Sequence, residues 1–413
     1  MKTYYIHTYG CQMNTADSEE MALALAQRGL RQAHRPQDAD IYILNTCTVR
    51  QHAEDRAVSH IGRLKPWKEK KEGRKLVVAG CAAQRLGPKI TSQFPFVDAV
   101  LGALSIDSFP ELAATLRLDG VENPSLPSSS LCSLVTVMRG CPHACAYCIV
   151  PSVRGKASSR PPEQVLEDIR RKTEAGAAEI TLLGQAVNEY RHEECPDLAS
   201  LLRLAAGVPG VKRLRFMSPH PLFFDDSLIR EMAENPKVAA HVHLPVQAGS
   251  DRVLKAMRRG YTRRGITELV SRLKKAVPSI AISADFIVGF PSETQGEFEE
   301  TLSLYRDCSF ANAYCFKFSA RPGTDAAEMH PAIAEAELEQ RLAALLEEVR
   351  ASAQRNMDSR VGKTESVLLE TPVVGRTSSN FWAEVDRPGK PGDLVAAEMK
   401  ARTGTRLNAR VIS

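Results

Sequence analysis

Three cysteines stand within eight residues in the segment Cys141-Pro-His-Ala-Cys145-Ala-Tyr-Cys148. A loop of that length can wrap three thiolates around one side of a metal cluster. A [4Fe–4S] cube has four irons, so three cysteines leave one iron free to bind something else. A structural zinc site asks instead for a fourth ligand in a matched pair. The chain has no second Cys-x-x-Cys and no His-x-x-x-His, and His143 sits too close within the loop to be an easy fourth ligand. The spacing also differs from the bacterial ferredoxin run. A zinc knuckle is the competing reading.

A second set is dispersed. Cys11, Cys47 and Cys81, 36 and 34 residues apart, each follow a short run rich in Ile, Val and Tyr. In an open parallel sheet, ligands bind outside the carboxyl ends of the strands. Three cysteines at equivalent strand ends can therefore converge into another three-thiolate iron–sulfur site. The plain alternative is three buried apolar cysteines. Cys132, Cys195, Cys308 and Cys315 share no such placement and read as packing residues.

The elements that would position these groups are legible in outline. Of 413 residues, 43% are hydrophobic and 25% charged, which excludes a disordered chain, a collagen-like fibre and a disulfide mini-protein. The net charge of +5 permits an anionic partner without requiring one. The N-terminus has no apolar run of a secretory signal, and no stretch is long and apolar enough for a membrane helix. A cytoplasmic protein is expected, with its thiols reduced, catalytic or metal-bound.

Strands are expected at 3–8, 40–46 and 75–79, with helices at 17–27 and 53–64: the βαβ signature of a parallel sheet. Residues 63–75 carry seven basic and two acidic side chains and read as a solvated helix end and loop. Pro, Ser and Asn cluster at 121–130, a linker. Six further strands are expected at 133–137, 179–183, 213–217, 240–244, 280–287 and 312–318. Helices fall between them, among them 162–174, 254–257 and 266–276. This is an incomplete relative of the (β/α)8 barrel. Residues 332–357 have helical spacing, and 361–413 show short β-like runs broken by Gly and Pro. The expected fold is α/β: a parallel-sheet domain over 1–120, a linker over 121–130, a six-strand incomplete barrel over 131–356, and a small OB-like β-barrel over 357–413.

The loop at Cys141 to Cys148 resembles the C-x3-C-x2-C signature of radical S-adenosylmethionine enzymes. More widely, RGCPHACAYCIVPSVRGKASSRP is similar to the corresponding segment of the methylthiotransferases. So are ILNTCTVR around Cys47, LLGQAVNEY around Gln185, LPVQAGSDRVLKAMRRGYT around Gln247 and ADFIVGFPSET around Gly289. The C-terminal part is similar to a TRAM domain, an RNA-binding β-barrel. The resemblance to this family runs essentially from end to end. Two places depart from it: Gly184-Gln185-Ala186 stands where members often read GQN, and Phe290-Pro291-Ser292-Glu293 where they often read FPGE.

The resemblance implies that Cys141, Cys145 and Cys148 hold a [4Fe–4S] cluster whose free iron chelates S-adenosylmethionine, which an electron then splits to a 5′-deoxyadenosyl radical. It implies that Cys11, Cys47 and Cys81 hold an auxiliary [4Fe–4S] cluster carrying sulfur. MRGCPHACAYCIVP, the basic stretch before Lys75 and GRTSSNFW look most like the branch that methylthiolates C2 of isopentenyladenosine next to the tRNA anticodon. Other branches act on threonylcarbamoyl-adenosine in tRNA or on an aspartate of a small-subunit ribosomal protein. A reading from another class is a non-catalytic iron–sulfur or zinc RNA-binding module; a radical enzyme whose second cluster only relays electrons is a further alternative. No catalytic side chain is assigned beyond the cluster ligands. Candidate S-adenosylmethionine contacts are Tyr147 in the loop and Gly184, Gln185, Ser218, Gln247 and Asp285 at expected strand ends, where barrel ligands sit; His220 shares that placement. Candidate RNA contacts are Arg154, Lys156, Arg160, Phe381 and Trp382. The basic three can alternatively be surface charge or meet the S-adenosylmethionine carboxylate, and one of the two aromatics can fill the small barrel's interior. From Met357 the charge is only +2, so that domain alone grips RNA weakly. Expected partners are the anticodon stem-loop, an electron donor and iron–sulfur assembly or sulfur-carrier proteins, with a monomeric enzyme and no membrane.

Overall fold

The computed structural model describes residues 2–49, 51–120 and 129–412. Most of the expected linker at 121–130 lies outside the described residues. The first domain is a five-stranded parallel sheet of β1 (Thr3–Thr8), β2 (Arg31–Gln32), β3 (Ile41–Thr46), β4 (Lys75–Gly80) and β5 (Ala99–Gly102). Their order is β2-β1-β3-β4-β5. β3 is buried throughout, which is why it reads as a continuous apolar run rather than an alternating one. The helices Gln12–Gln27 and Phe109–Thr115 cover one face, burying Leu25 and Phe109 against Tyr4, Ile43 and Val77. The helix Gln51–Arg63 covers the other with Ile61 against Tyr42, Leu44 and Val78. The strand order reverses between β1 and β3, which makes their carboxyl ends the binding edge of the sheet. β5 was not anticipated; at four residues it is too short for a periodic signal. The helix expected at 17–27 begins at Gln12, directly after Cys11.

The basic stretch at 63–75 is more ordered than its composition indicates. Lys68 and Lys75 pair with Asp98, and Lys71 with Asp40. Arg74 is buried, bonded to the carbonyls of Trp67 and Gln37.

The central region has β6 (Cys132–Thr136), a small hairpin of β7 (Met138–Arg139) and β8 (Ser158–Ser159), then β9 (Glu179–Leu183), β10 (Arg213–Phe216), β11 (His241–Gln247), β12 (Ala281–Val288) and β13 (Asn312–Lys317). The six long strands run parallel in two sheets, β10-β9-β6 and β11-β12-β13. An isolated bridge between Leu214 and Val238 joins β10 to the segment leading into β11. One large apolar core lies between these strands and the surrounding helices. The first helix of the N-terminal domain closes on this arc, seating Met13 against Leu134, Leu183 and Met217.

The helix Glu335–Asp358 leads into a closed barrel of β14 (Thr364–Leu369), β15 (Val374–Thr377), β16 (Trp382–Val385), β17 (Leu394–Thr403) and β18 (Arg406–Val411). This barrel caps the amino ends of the central strands. Arg213 donates to the Arg376 carbonyl at 2.8 Å and Arg215 to the Thr377 carbonyl at 3.1 Å, while both arginines hold the buried Glu179. The expected α/β architecture is thus borne out in its three parts.

Candidate iron–sulfur and cofactor site

Cys11, Cys47 and Cys81 follow β1, β3 and β4 at the binding edge of the first sheet. Cys11 is exposed and stands at the N-cap position of the helix Gln12–Gln27; Cys47 and Cys81 are buried. Two glycines allow the close approach. Gly10 has φ +124°, and a Cβ there would stand 2.9 Å from the Cys47 Cβ. Gly80 has φ +96°, and a Cβ there would collide with Asn45 Oδ1 and the Thr46 carbonyl. The fully buried Asn14 and Asn45 tie the turn after β1 to the end of β3. Asn14 Nδ2 donates to Asn45 Oδ1 at 3.1 Å, and Asn45 Nδ2 to the Asn14 carbonyl at 2.8 Å. Burial pushes the Cys81 thiol up to about 11, against the pull of the Arg154 guanidinium beside it.

The second triad is carried by one loop. The Cys141 amide donates to the Gly155 carbonyl at 3.1 Å, and the Val150 amide reaches Cys148 Sγ at 3.4 Å. Arg259 donates to Cys145 Sγ at 3.1 Å, to the Tyr261 hydroxyl at 2.7 Å and to the Pro245 carbonyl at 3.1 Å. The loop's outer side rests on an aromatic stack. The His143 ring lies 4.2 Å from that of His220 and 5.4 Å from that of Phe223, and its Nε2 pairs with Glu189. Burial, with Arg259 and His143 adding repulsion, pushes His220 down to about 2, so its ring is neutral. Burial also pushes Cys148 up to about 12 and raises the Tyr147 phenol. Loading either triad with iron must therefore release protons.

The two triads are physically joined. Ile149, next to Cys148, and Val153 pack on Cys81 and Ala103. Arg154 donates from Nε to Cys81 Sγ at 3.2 Å and from Nη2 to Asp17 at 2.7 Å. Asp17 also receives Arg139 at 2.6 Å. Among the described residues, no three His, Cys, Asp or Glu groups are gathered tightly enough to hold a single metal ion. Sulfurs bound to separate irons of a cube stand farther apart than ligands of one ion. Each triad also sets a buried guanidinium against one of its sulfurs, which suits the negative charge of a thiolate-ligated cluster. The donor sets fit iron–sulfur clusters better than zinc.

Most of the other candidates gather at the carboxyl ends of the central strands. Gly184 and Gln185 follow β9 directly, and Gln185 Oε1 is buried without a hydrogen-bond partner among the described residues. Ser218, just past β10, has φ +59°, and Gln247, the last residue of β11, has φ +75°. Non-glycine residues held in this region cost energy and concentrate at binding sites. Asp285 differs from expectation: it lies inside β12, where its carboxylate meets His243 Nε2 at 3.0 Å. That histidine lines a cavity of about 660 Å³ shared with His241, Ser283 and Gln12.

The expected RNA contacts divide. Arg154 is 4% exposed and bound through Nε to Cys81 and through Nη2 to Asp17, which leaves little of it to meet a phosphate. Lys156 is exposed and, among the described residues, unpaired in a cleft of about 460 Å³ shared with Arg139 and Arg160. Arg160 pairs with Asp168 at 2.8 Å. Phe381 packs on the small barrel's core beneath Arg360; Trp382 is 38% exposed, with Arg376 4.4 Å from its ring.

Sequence reasoning missed Arg259 and Tyr261, although both lie in the LPVQAGSDRVLKAMRRGYT segment. It also missed Arg321, which binds Thr48 Oγ1 at 2.8 Å, Gln51 Oε1 at 2.7 Å and Glu54 Oε2 at 3.2 Å, fixing the chain just beyond Cys47. No local signal marks Arg321, because its partners lie in another domain.

Residues 3–102 match the family described as Uncharacterized protein family UPF0004, and residues 135–305 match the Radical SAM superfamily. A tRNA-2-methylthio-N(6)-dimethylallyladenosine synthase of Neisseria meningitidis is 40% identical over 390 residues, covering 90% of this chain and 88% of that protein. A protein of the same name from Syntrophotalea carbinolica is 39% identical over 430 residues, covering 97% of each. Among solved structures, the radical S-adenosylmethionine methyltransferase TsrM from Kitasatospora setae, with cobalamin and a [4Fe-4S] cluster bound, superimposes with a TM-score of 0.59. At 14% identity over 79% of this chain and 74% of that one, it shares the fold. The chain belongs to the tRNA-2-methylthio-N(6)-dimethylallyladenosine synthase family of radical S-adenosylmethionine methylthiotransferases.

Proposed function

We propose that this chain replaces the hydrogen on C2 of N6-isopentenyladenosine, next to a tRNA anticodon, with a methylthio group. The observation that carries the reading is the pair of three-cysteine sites joined through Ile149, Val153 and Arg154. When bound, the cluster at Cys141, Cys145 and Cys148 supplies reductive cleavage of S-adenosylmethionine, and the one at Cys11, Cys47 and Cys81 supplies the sulfur. The chain's own residues position and exclude. Gln185, with its free buried oxygen, Ser218 and Gln247 form the rim where S-adenosylmethionine is held. Met13 closes the side of the arc against water, which protects a reactive radical. Arg259 and Arg154 fix one sulfur of each triad. Lys156 meets the RNA backbone, and the small C-terminal barrel supplies a further RNA surface.

Among the described residues no helix is long and apolar enough to cross a membrane. The tRNA reading places the enzyme in the cytoplasm as a monomer served by an electron donor and by iron–sulfur or sulfur-delivery proteins. The test is to load the protein anaerobically, add S-adenosylmethionine and dithionite, and weigh nucleosides from stem-loops carrying either isopentenyl- or threonylcarbamoyl-adenosine. SCH3 replacing H on the isopentenyl substrate alone is expected. Modification of the threonylcarbamoyl stem-loop instead, or only of the small-subunit ribosomal protein in a parallel reaction, overturns the substrate assignment.

A further inference from the structure

We propose that the half-open face of β1 carrying Tyr5, His7 and Tyr9, with the arginines of the helix Gln51–Arg63 beside it, is a stacking platform for unpaired RNA bases flanking the modified nucleotide. The proposal rests on the RNA reading above and assigns that RNA a surface on the N-terminal domain.

Side chains alternate along a strand, so Tyr4 and Ile6 enter one core while Tyr5, His7 and Tyr9 share the opposite face, where Tyr5 and Tyr9 pack at the margin of the second apolar cluster. All three are half-buried. On its outer side β1 pairs with β2 only at Thr3 and Tyr4, so among the described residues the edge beyond is not covered by a strand. The rings form one group. His7 lies 4.7 Å from Tyr9 and 4.7 Å from His60, and Tyr9 lies 5.7 Å from His60. His60 is held between the hydroxyls of Tyr9, at 3.0 Å, and Tyr42, at 3.3 Å. It contributes a plane rather than a charge.

The charge comes from the helix. Arg56 is exposed and sits 5.6 Å from the Tyr9 ring, and Arg63 is exposed two turns further on. Neither has a carboxylate partner among the described residues. The neighbouring stretch differs, with Lys68, Lys71 and Lys75 neutralised by Asp98 and Asp40. Unpaired guanidinium over aromatic planes matches single-stranded RNA, whose bases stack on such rings while cations track the phosphates. Sheets with aromatics at alternate positions of a strand hold two or three bases in this way.

Placement supplies the second line of support. Tyr9 continues the ladder to Asn45 at 2.8 Å and is followed by Gly10 and the exposed Cys11. The platform therefore adjoins the N-terminal cysteine triad.

The experiment uses the full chain and an isopentenylated anticodon stem-loop with 2-aminopurine beside the target adenosine. Anisotropy reads affinity, and 2-aminopurine fluorescence reads stacking. The wild type is expected to bind and to change the fluorescence. Tyr9→Phe should keep both; Tyr9→Leu should lose the fluorescence change and weaken binding about tenfold. Arg56→Gln, on the surface and without a folding role, should weaken binding several-fold and lower the salt slope by about one. If the wild type binds and all three variants match it in both signals, the platform is overturned while the RNA reading stands. If the wild type does not bind the stem-loop, the RNA reading falls and the platform with it.

Discussion

The two cysteine triads are assembled by opposite means. Cys141, Cys145 and Cys148 belong to one loop, so their proximity is fixed by covalent spacing. Cys11, Cys47 and Cys81 meet only if β1, β3 and β4 end in register and the switch point of the sheet is formed. The loop triad is braced from its own domain, by Arg259 and by the His143–His220 stack. The sheet triad is braced from outside as well: Arg154 and Arg321 both come from the central region to hold groups at Cys81 and beyond Cys47. A site that is dispersed in sequence therefore depends on tertiary packing in a way that a loop-borne one does not.

The largest expected break of this contrast is Gly80→Ala. Its φ of +96° and the collision with Asn45 and Thr46 should cost on the order of 3 kcal/mol. Iron bound at the N-terminal site should be lost while the Cys141–Cys148 site keeps its own, as read by metal analysis and EPR. Loss from both sites would show that they are not built independently.

Exchanging the bracing arginines sharpens the contrast. Arg154→Met leaves the buried Asp17 with Arg139 as its remaining partner and should destabilise by about 3 kcal/mol. Arg259→Met removes bonds to a thiol, a hydroxyl and a carbonyl but strands no carboxylate, and should cost about 1–2 kcal/mol. Chemical denaturation of the metal-free variants gives both values. The reverse ranking would mean that Arg154 is not the cross-domain brace.

How much could be read in advance follows from the same contrast. The loop triad, the three long N-terminal strands and the six strands of the arc were legible because spacing and apolar runs are local. The convergence of Cys11, Cys47 and Cys81 was inferred from strand ends, but what enforces it was not: Gly10, Gly80 and the Asn14–Asn45 pair look unremarkable in sequence. Arg154 reads in sequence as an RNA contact because a basic residue after a cofactor loop looks exposed; the structure buries it against Cys81 and Asp17. Only the tertiary structure shows Asp17 waiting for it. Arg321 was invisible for the same reason.

A smaller effect is the first domain's contribution to the pH dependence of stability. Burial, with His7 and Arg63 adding repulsion, pushes His60 down to about 4. In the unfolded chain it titrates near about 6.5. As pH falls through that window, the unfolded chain takes up a proton that the folded one refuses, so stability declines. Thermal unfolding between those pH values should show the decline, and His60→Gln should reduce it, the buried His220 and His241 supplying the rest. The smallest expected effect is that of Lys156→Gln. It should weaken stem-loop binding a few-fold and reduce the salt slope by about one, leaving both iron sites filled.

The most direct test of the central claim compares Cys47→Ala with Cys145→Ala in one assay, after anaerobic loading with iron and sulfide. S-adenosylmethionine, dithionite and the isopentenylated stem-loop are added, and 5′-deoxyadenosine and the modified nucleoside are measured together. Two sites with separate tasks predict that Cys145→Ala yields neither product, while Cys47→Ala yields 5′-deoxyadenosine but no methylthio nucleoside. Methylthiolated product from Cys47→Ala would contradict the account.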